Sequence, residues 1–344
     1  MEIPQQLRSA LDAELASVPS KKIALAVAGL SGRYRIGTSC IGRGYLQSRE
    51  DIIAYMAYRL PATYAATHAA LEQVRDRLPD WKPQSLLDVG AGPGTAMWAA
   101  ATIWPELKRI TLLEREEDMI AAGKRLAAYS PLAPVREANW LRADVAGAWE
   151  TSPCDLVIMS YVLGELPQDR VAPLLHRLWE ATGGTLVIIE PGTVAGFHRI
   201  KQAREQMLEK GAKSIAPCPH DGACPMTDND WCHFAQRVQR SRMHRQAKAA
   251  ELSYEDEKFS FLALSRTPGA AIEGRVIRHP QVRPGHIRLE VCTPGRVTTS
   301  VLTRKNREMY RIARDLRWGS VVPPGAMSER SPNGSEPGGC PTGG

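Results

Sequence analysis

Apolar and polar positions change period twice along the chain. Through the first 80 residues apolar side chains recur every three or four positions, as in "SREDIIAYMAYRLPATYAATHAALEQVRDRL". This spacing predicts helices, with a start or kink at Pro61. From residue 83 short apolar runs alternate with amphipathic ones. "SLLDVG", "RITLLERE", "CDLVIMSYV" and "GGTLVIIEPG" predict strands, and "TAMWAAATIW", "EDMIAAGKRLAAY" and "DRVAPLLHRLWEAT" predict the helices between them. Buried apolar strands separated by helices predict a parallel, doubly wound α/β sheet. Near residue 196 the alternation stops. A helix, "FHRIKQAREQMLEKGA", leads into a cysteine-bearing loop and a basic stretch of helical spacing, "RVQRSRMHRQAKAAEL". Strand-like pieces follow: "KFSFLALSR", "RVIRHP", "HIRLEVC" and "RVTTSVLT". From 319 a Gly, Pro and Ser-rich tail has no core-forming pattern and is expected to be disordered. The chain thus divides into an N-terminal helical region (1–80), an α/β core (81–195), a basic insertion with a C-terminal β element (196–318) and a tail (319–344).

At 344 residues and 43% hydrophobic, the chain can bury a large core. No apolar run approaches the roughly 18 residues a membrane-crossing helix needs, so no membrane partner is expected. The first segment, "MEIPQQLRSALDAELASV", carries Glu2, Asp12 and Glu14 and resembles neither a secretory signal nor an acid-poor transit peptide. A cytoplasmic location follows as the expectation, and there clustered cysteines bind metal or do redox work more often than they form disulfides. The net charge of +7 is unevenly spread. Residues 195–320 hold 23 Lys and Arg against 13 Asp and Glu, and the remainder holds 21 against 24. All the basicity therefore lies in the C-terminal part, which points to a polyanionic partner on that side.

"LLDVGAGPGT" places Asp88, Gly90, Gly92 and Gly94 after a predicted strand and before a predicted helix. Glycines there let the backbone approach a ligand, and a helix N-terminus favours polar or anionic groups. The spacing is GxGxG; Thr95 stands where the dinucleotide fingerprint has its third glycine, which disfavours a nicotinamide-dependent oxidoreductase. With Glu114 ending the next strand, the set resembles the S-adenosylmethionine site of class I methyltransferases, in which that acid would take the ribose hydroxyls. Asp144, in "WLRADV", falls where this fold contacts the adenine. After the fourth strand "SYVLGEL" lacks the Asn-Pro-Pro-Tyr type of motif that cradles an amino group for N-methylation. Cys154 precedes its strand, on the wrong side of the sheet for a nucleophile, and reads as packed and inert. Glu165 and Glu190 end strands on the ligand side.

The loop "APCPHDGACPMTDNDWCHF" spaces three cysteines as Cys218-x5-Cys224-x7-Cys232, and Cys292 ends a strand sixty residues on. Four thiolates can close around a tetrahedral zinc or a cubane iron–sulfur cluster. The tight knuckles of zinc ribbons are missing, and wide loop-borne spacings suit the bulkier cluster; zinc stays as the alternative, and His220 and His233 as alternative ligands. Cys40 is remote and Cys340 lies in the tail. Arg237, Arg240, Arg242, Arg245 and Lys248 follow the loop at spacings that would put several on one helical face, and are the candidate RNA-phosphate contacts.

"IIEPGTVAGFHRIKQAREQM", the whole cysteine block through "RVQRSRMHRQAKAAELSYEDEKFSFLAL", and "RVIRHPQVRPGHIRLEVCTPG" together resemble the small-ribosomal-subunit-associated methyltransferase-like family, over roughly residues 50–318. Its members include mitochondrial ribosome assembly factors and bacterial homologues, and the chain looks like a bacterial member. The resemblance implies a class I, Rossmann-like methyltransferase fold and binding to the small ribosomal subunit through its rRNA. It also implies a 4Fe–4S cluster held by Cys218, Cys224, Cys232 and Cys292. Two functions follow as expectations: an S-adenosylmethionine-dependent rRNA methyltransferase, or a non-catalytic assembly factor that uses the fold only for binding. Away from the ribosome the chain is expected to be a monomer.

Overall fold

The computed structural model describes residues 1–36, 48–227, 229–239 and 254–322. Four helices come first: α1 (Gln5–Leu15), α2 (Ser20–Ile36), α3 (Arg49–Ala54) and α4 (Leu60–Arg77). Ser48 caps α3, its hydroxyl accepting from the Asp51 N–H at 3.2 Å. The path from α3 to α4 widens into a single π-helical turn, Tyr55–Arg59, directly ahead of Pro61. A proline in a continuing helix lacks one N–H and crowds the turn before it, and the widened turn accommodates both.

The main sheet then builds up through β1 (Ser85–Val89), α5 (Thr95–Ile103), β2 (Arg109–Glu114), α6 (Glu117–Ala127), α7 (Ala133–Arg136), β3 (Asn139–Arg142) and β4 (Cys154–Ser160). It continues with α8 (Gln168–Glu180), β5 (Thr182–Pro191), α9 (Val194–Glu209), β6 (Lys213–Ala216), β7 (Phe234–Gln239) and β8 (Tyr254–Ser265). The strand order is β3-β2-β1-β4-β5-β8-β6, with β7 also on β8. The first five are parallel, and β8 runs antiparallel to β5 and β6. A late antiparallel strand slotted beside the fifth is the topology of the Rossmann-like class I methyltransferase fold. β1 is buried along its whole length, as its apolar run requires.

The α/β core therefore runs past residue 195. β6, β7 and β8 close the same sheet, and the cysteine loop is an insertion between β6 and β7. The segment opening at Arg237 is extended to Gln239, not helical: Arg237 stands opposite Asp256 in the β7–β8 ladder. Arg240, Arg242, Arg245 and Lys248 lie outside the described residues, as do Cys40 and Cys340. β3 is mostly exposed and polar, which is why no apolar run announced it.

A second, smaller sheet holds β9 (Gly274–Val276), β10 (Gln281–Arg283), β11 (His286–Thr293), β12 (Arg296–Thr303) and β13 (Val321–Val322), with α10 (Arg307–Asp315) packed on it. The tail expected from 319 thus contributes a strand at 321–322, paired with β9. Val276, Ile287, Leu289, Val291, Ala313 and Val322 form this sheet's own core. Among the described residues no helix is long and apolar enough to cross a membrane.

Phe234, Phe259 and Phe261 join β7 to β8, with ring centroids 5.6 to 6.1 Å apart. Phe261 is 1% exposed. Phe261→Ala should therefore cost about 3–5 kcal/mol, read as a lower urea midpoint at unchanged slope. A loss under about 1 kcal/mol would contradict this packing.

Candidate cofactor cleft and thiol cavity

The turn after β1 is shaped by backbone bonds: Gly90 and Ala91 donate to the Leu113 carbonyl at 2.9 and 3.0 Å. Gly92 adopts φ +55°, in the left-handed region, and a Cβ there would meet only the Tyr55 hydroxyl, 3.9 Å away. The space beside Gly92 is thus left open by the protein itself. It belongs to a cleft enclosing about 830 Å³ with its mouth, lined by Gly90, Gly92, Glu114, Asp144, Ser160, Tyr161 and Glu165 among others. Glu114 faces it at the end of β2. Its carboxylate accepts from the Gly92 N–H at 2.7 Å and from the Arg115 and Glu116 N–H groups at 2.9 Å, and burial holds its pKa above the usual carboxylate range. Asp144 lines the cleft while its Oδ1 accepts from the Ala146 N–H at 2.9 Å.

Asp88 and Gly94 shape the turn from beneath and do not line the cleft. Asp88 is fully buried, its Oδ2 accepting from the Met97 N–H at 3.3 Å, which ties the start of α5 to β1. Gly94 packs near Met97 and Trp140. Of the strand-end acids, Glu165 lines the cleft, whereas Glu190 is buried outside it and paired with Arg199 at 3.2 Å.

A wall that the sequence did not announce closes one side. Tyr161 has φ 61°, a backbone state costing about 1–3 kcal/mol in a non-glycine residue. Its hydroxyl donates to Glu257 Oε1 at 3.1 Å, and Glu257 on β8 takes a bidentate pair from Arg59 at 3.0 and 3.3 Å. Three remote segments meet there, so no local spacing could reveal it.

The cysteines converge elsewhere. Cys218, Cys224, Cys232 and Cys292 line one cavity together with Phe197, Met226, Arg204 and Arg275. All four are free thiols. Burial first, then the neighbouring thiols, pushes Cys232 well above the usual thiol range and Cys292 up to about 12. Among the described residues no group of three or more His, Cys, Asp or Glu side chains is arranged to hold a single metal ion. The two loop histidines stand apart in their contacts. His233 meets the Trp231 carbonyl at 3.2 Å and stacks on the Trp231 ring at 5.0 Å, whereas both ring nitrogens of His220 are buried without a partner. Cys154, half-buried at the start of β4, has its pKa raised by burial and belongs to neither site.

The family profile described as "Mitochondrial small ribosomal subunit Rsm22" matches residues 49–323. The chain belongs to the Rsm22 family. A curated relative is the human mitochondrial ribosome assembly protein METTL17, 32% identical over 290 residues that cover 79% of this chain and 62% of that protein. Another is the Saccharomyces cerevisiae mitochondrial ribosome assembly protein RSM22, 21% identical over 427 residues, covering 80% and 67%. The Rsm22-family chain thus spans less than two thirds of the human relative's length. Among solved structures, the magnesium protoporphyrin IX methyltransferase of Synechocystis with bound S-adenosylmethionine aligns at 15% identity and TM-score 0.41, covering 73% of this chain and 99% of that one.

Burial pushes the Asp88 carboxyl up to about 7, partly offset by the Met97 N–H, whereas in an unfolded chain it titrates near 4. The folded state therefore keeps a proton that the unfolded state releases. The stability this lends is complete below about pH 4 and is lost as the pH rises through about 7. The melting temperature of the free chain should fall between pH 5 and pH 8, and Asp88→Asn should flatten part of that slope. A slope identical in the variant would remove Asp88 as its source.

Proposed function

We propose that this Rsm22-family chain is a small-subunit assembly factor. In this reading it binds S-adenosylmethionine in the β1–β2–β4 cleft, holds a 4Fe–4S cluster in the thiol cavity and docks on small-subunit rRNA. The observation that carries the reading is the construction of the smaller sheet. β11 brings Cys292 to the thiol cavity, and its alternate residues Ile287, Leu289 and Val291 pack beneath α10, which turns Arg307, Arg311 and Arg314 outward on one face. Residues 281–317 hold nine Lys and Arg against three Asp and Glu. A basic face built onto the element that carries a thiol ligand suits an RNA-binding part ordered by its metal centre.

The cleft fits the nucleoside cofactor. Gly92 leaves room for close approach, Glu114 would take the ribose hydroxyls, and Asp144 stands at the adenine end. Bound there, S-adenosylmethionine supplies an electrophilic methyl group. In the thiol cavity the ligand set is Cys218, Cys224, Cys232 and Cys292, and the cluster's contribution is structural, ordering a loop that has few apolar side chains of its own. Zinc held by the same four thiolates stays the alternative. Arg237 is paired with Asp256 at 2.9 Å, so α10 is the stronger phosphate-binding candidate among the described residues.

A non-catalytic role is favoured over methyl transfer by the Tyr161–Glu257–Arg59 wall, which occupies the end of β4 where amino-methylating relatives of the fold keep their acceptor motif.

Gly92→Leu would fill the open space and force a branched residue into φ +55°, so calorimetry should show S-adenosylmethionine binding abolished. Unchanged affinity defeats the cleft assignment. Tritium from labelled cofactor should not be transferred to immature small-subunit particles; transfer would establish catalysis. Replacing Arg307, Arg311 and Arg314 together by Gln should weaken binding to a small-subunit rRNA fragment. It should also flatten the log K against log salt slope by about two to three units. A slope equal to the parent's excludes α10 from the interface.

A further inference from the structure

Three cations line the thiol cavity, the half-buried Lys201 and two that are almost wholly buried. Arg204 of α9 is 3% exposed and Arg275 of β9 is 1% exposed, and both line the cavity with the four thiols. Neither is matched to a carboxylate: among the described residues neither makes an ion pair within 4 Å. Their hydrogen bonds go to backbone carbonyls. Arg204 Nη2 donates to His220 O and Gly222 O at 2.7 and 2.8 Å, and Arg275 donates to Pro217 O and Gly319 O, both at 2.9 Å. Each keeps one buried nitrogen with no partner, Nε of Arg204 and Nη2 of Arg275.

A buried, unpaired guanidinium is costly. No Asp or Glu side chain lines the cavity to offset either charge. A hydrogen-bonding role alone would be served by neutral side chains at lower desolvation cost.

We infer that Arg204 and Arg275 are the built-in countercharges of a dianionic metal–thiolate centre held by Cys218, Cys224, Cys232 and Cys292, and that they set its stability and its potential. This rests on the metal-centre reading above. A 4Fe–4S core with four thiolates carries roughly two net negative charges when oxidised, which buried guanidinium groups beside it would offset. One-electron reduction would add a third negative charge, so two adjacent cations raise the reduction potential. In this role the arginines are positioning residues: they hold the loop carbonyls of residues 217, 220 and 222 and keep charge beside the cluster without ligating it.

The test uses the full chain reconstituted anaerobically with ferrous iron and sulfide. Iron and sulfide content, rate of iron loss to a chelator and midpoint potential by redox titration are measured for the parent and for Arg204→Gln, Arg275→Gln and the corresponding Lys variants. The Gln variants should lose iron about tenfold faster or more and titrate at a more negative potential, while the Lys variants stay near the parent. Circular dichroism checks the fold; where Arg275→Gln, which frees two carbonyls, does not fold, Arg204→Gln decides. Gln variants equal to the parent in both loss rate and potential would overturn the inference. So would Lys variants as impaired as the Gln ones, since that assigns the effect to shape alone. A parent chain that takes up neither iron nor zinc overturns the metal centre itself, and the charge role with it.

Discussion

Both ends of the cysteine loop are tied to one strand. β6, which enters the loop, pairs with Ala263–Ser265 of β8, and β7, which leaves it, pairs with Tyr254–Phe259. On its opposite edge β8 is held by β5 from Phe259 to Ser265. A strand paired on both edges cannot slip its register, because a one-residue shift would turn every side chain to the other face. Phe259 and Phe261 would then leave the core and Ser260, whose hydroxyl donates to the Cys232 carbonyl at 2.8 Å, would lose its partner. The same strand presents Glu257 to Arg59 and Tyr161. The cleft wall, the N-terminal helices and the thiol loop are therefore fixed by the position of β8.

From that strand the coupling passes to the smaller sheet through the loop. Arg275 of β9 reaches back to Pro217, and Cys292 of β11 joins Phe197, Met226 and Ile277 beside Cys224 and Cys232. β11 works on two faces at once. Ile287, Leu289 and Val291 share the face covered by α10, and Cys292 has the opposite parity, toward the thiol cavity. Whatever orders the sulfurs thus also settles the strand on which the basic helix rests.

The parts of this arrangement that sequence made legible are those written in local period. β1, β2, β4 and β5 each carry a short apolar run, and the glycine turn with Glu114 lies within a single strand–turn–helix–strand unit, so both could be read directly. The four cysteines stood out by rarity and chemistry. Features made by long-range packing were not legible. β3 is an exposed edge with polar residues, and Arg237 sits in a stretch whose cations recur at helical spacing yet pairs across a ladder with Asp256. Arg204 and Arg275 look like ordinary helix and strand cations; only their burial against the thiols, from elements some seventy residues apart, gives them a role. Asp88 shows the converse. Its place beside the glycines suggested the ligand, yet the sheet buries it beneath the turn.

The β8 constraint also bears on methyl transfer. A transferase needs an open path from the cofactor's methyl group to an acceptor, and in this fold that path leaves past the end of β4. Here the first residue beyond β4 is Tyr161, held in a strained backbone by a carboxylate that is itself engaged twice by Arg59. Such strain persists only where surrounding contacts over-determine it. Opening the path would break a half-buried ion pair and release the contact between the N-terminal helices and β8. Glu165, whose pKa burial raises to about 7, lines the cleft beside Tyr161. The Tyr161–Glu257–Arg59 contact thus ties the end of β4 both to β8 and to the N-terminal helices.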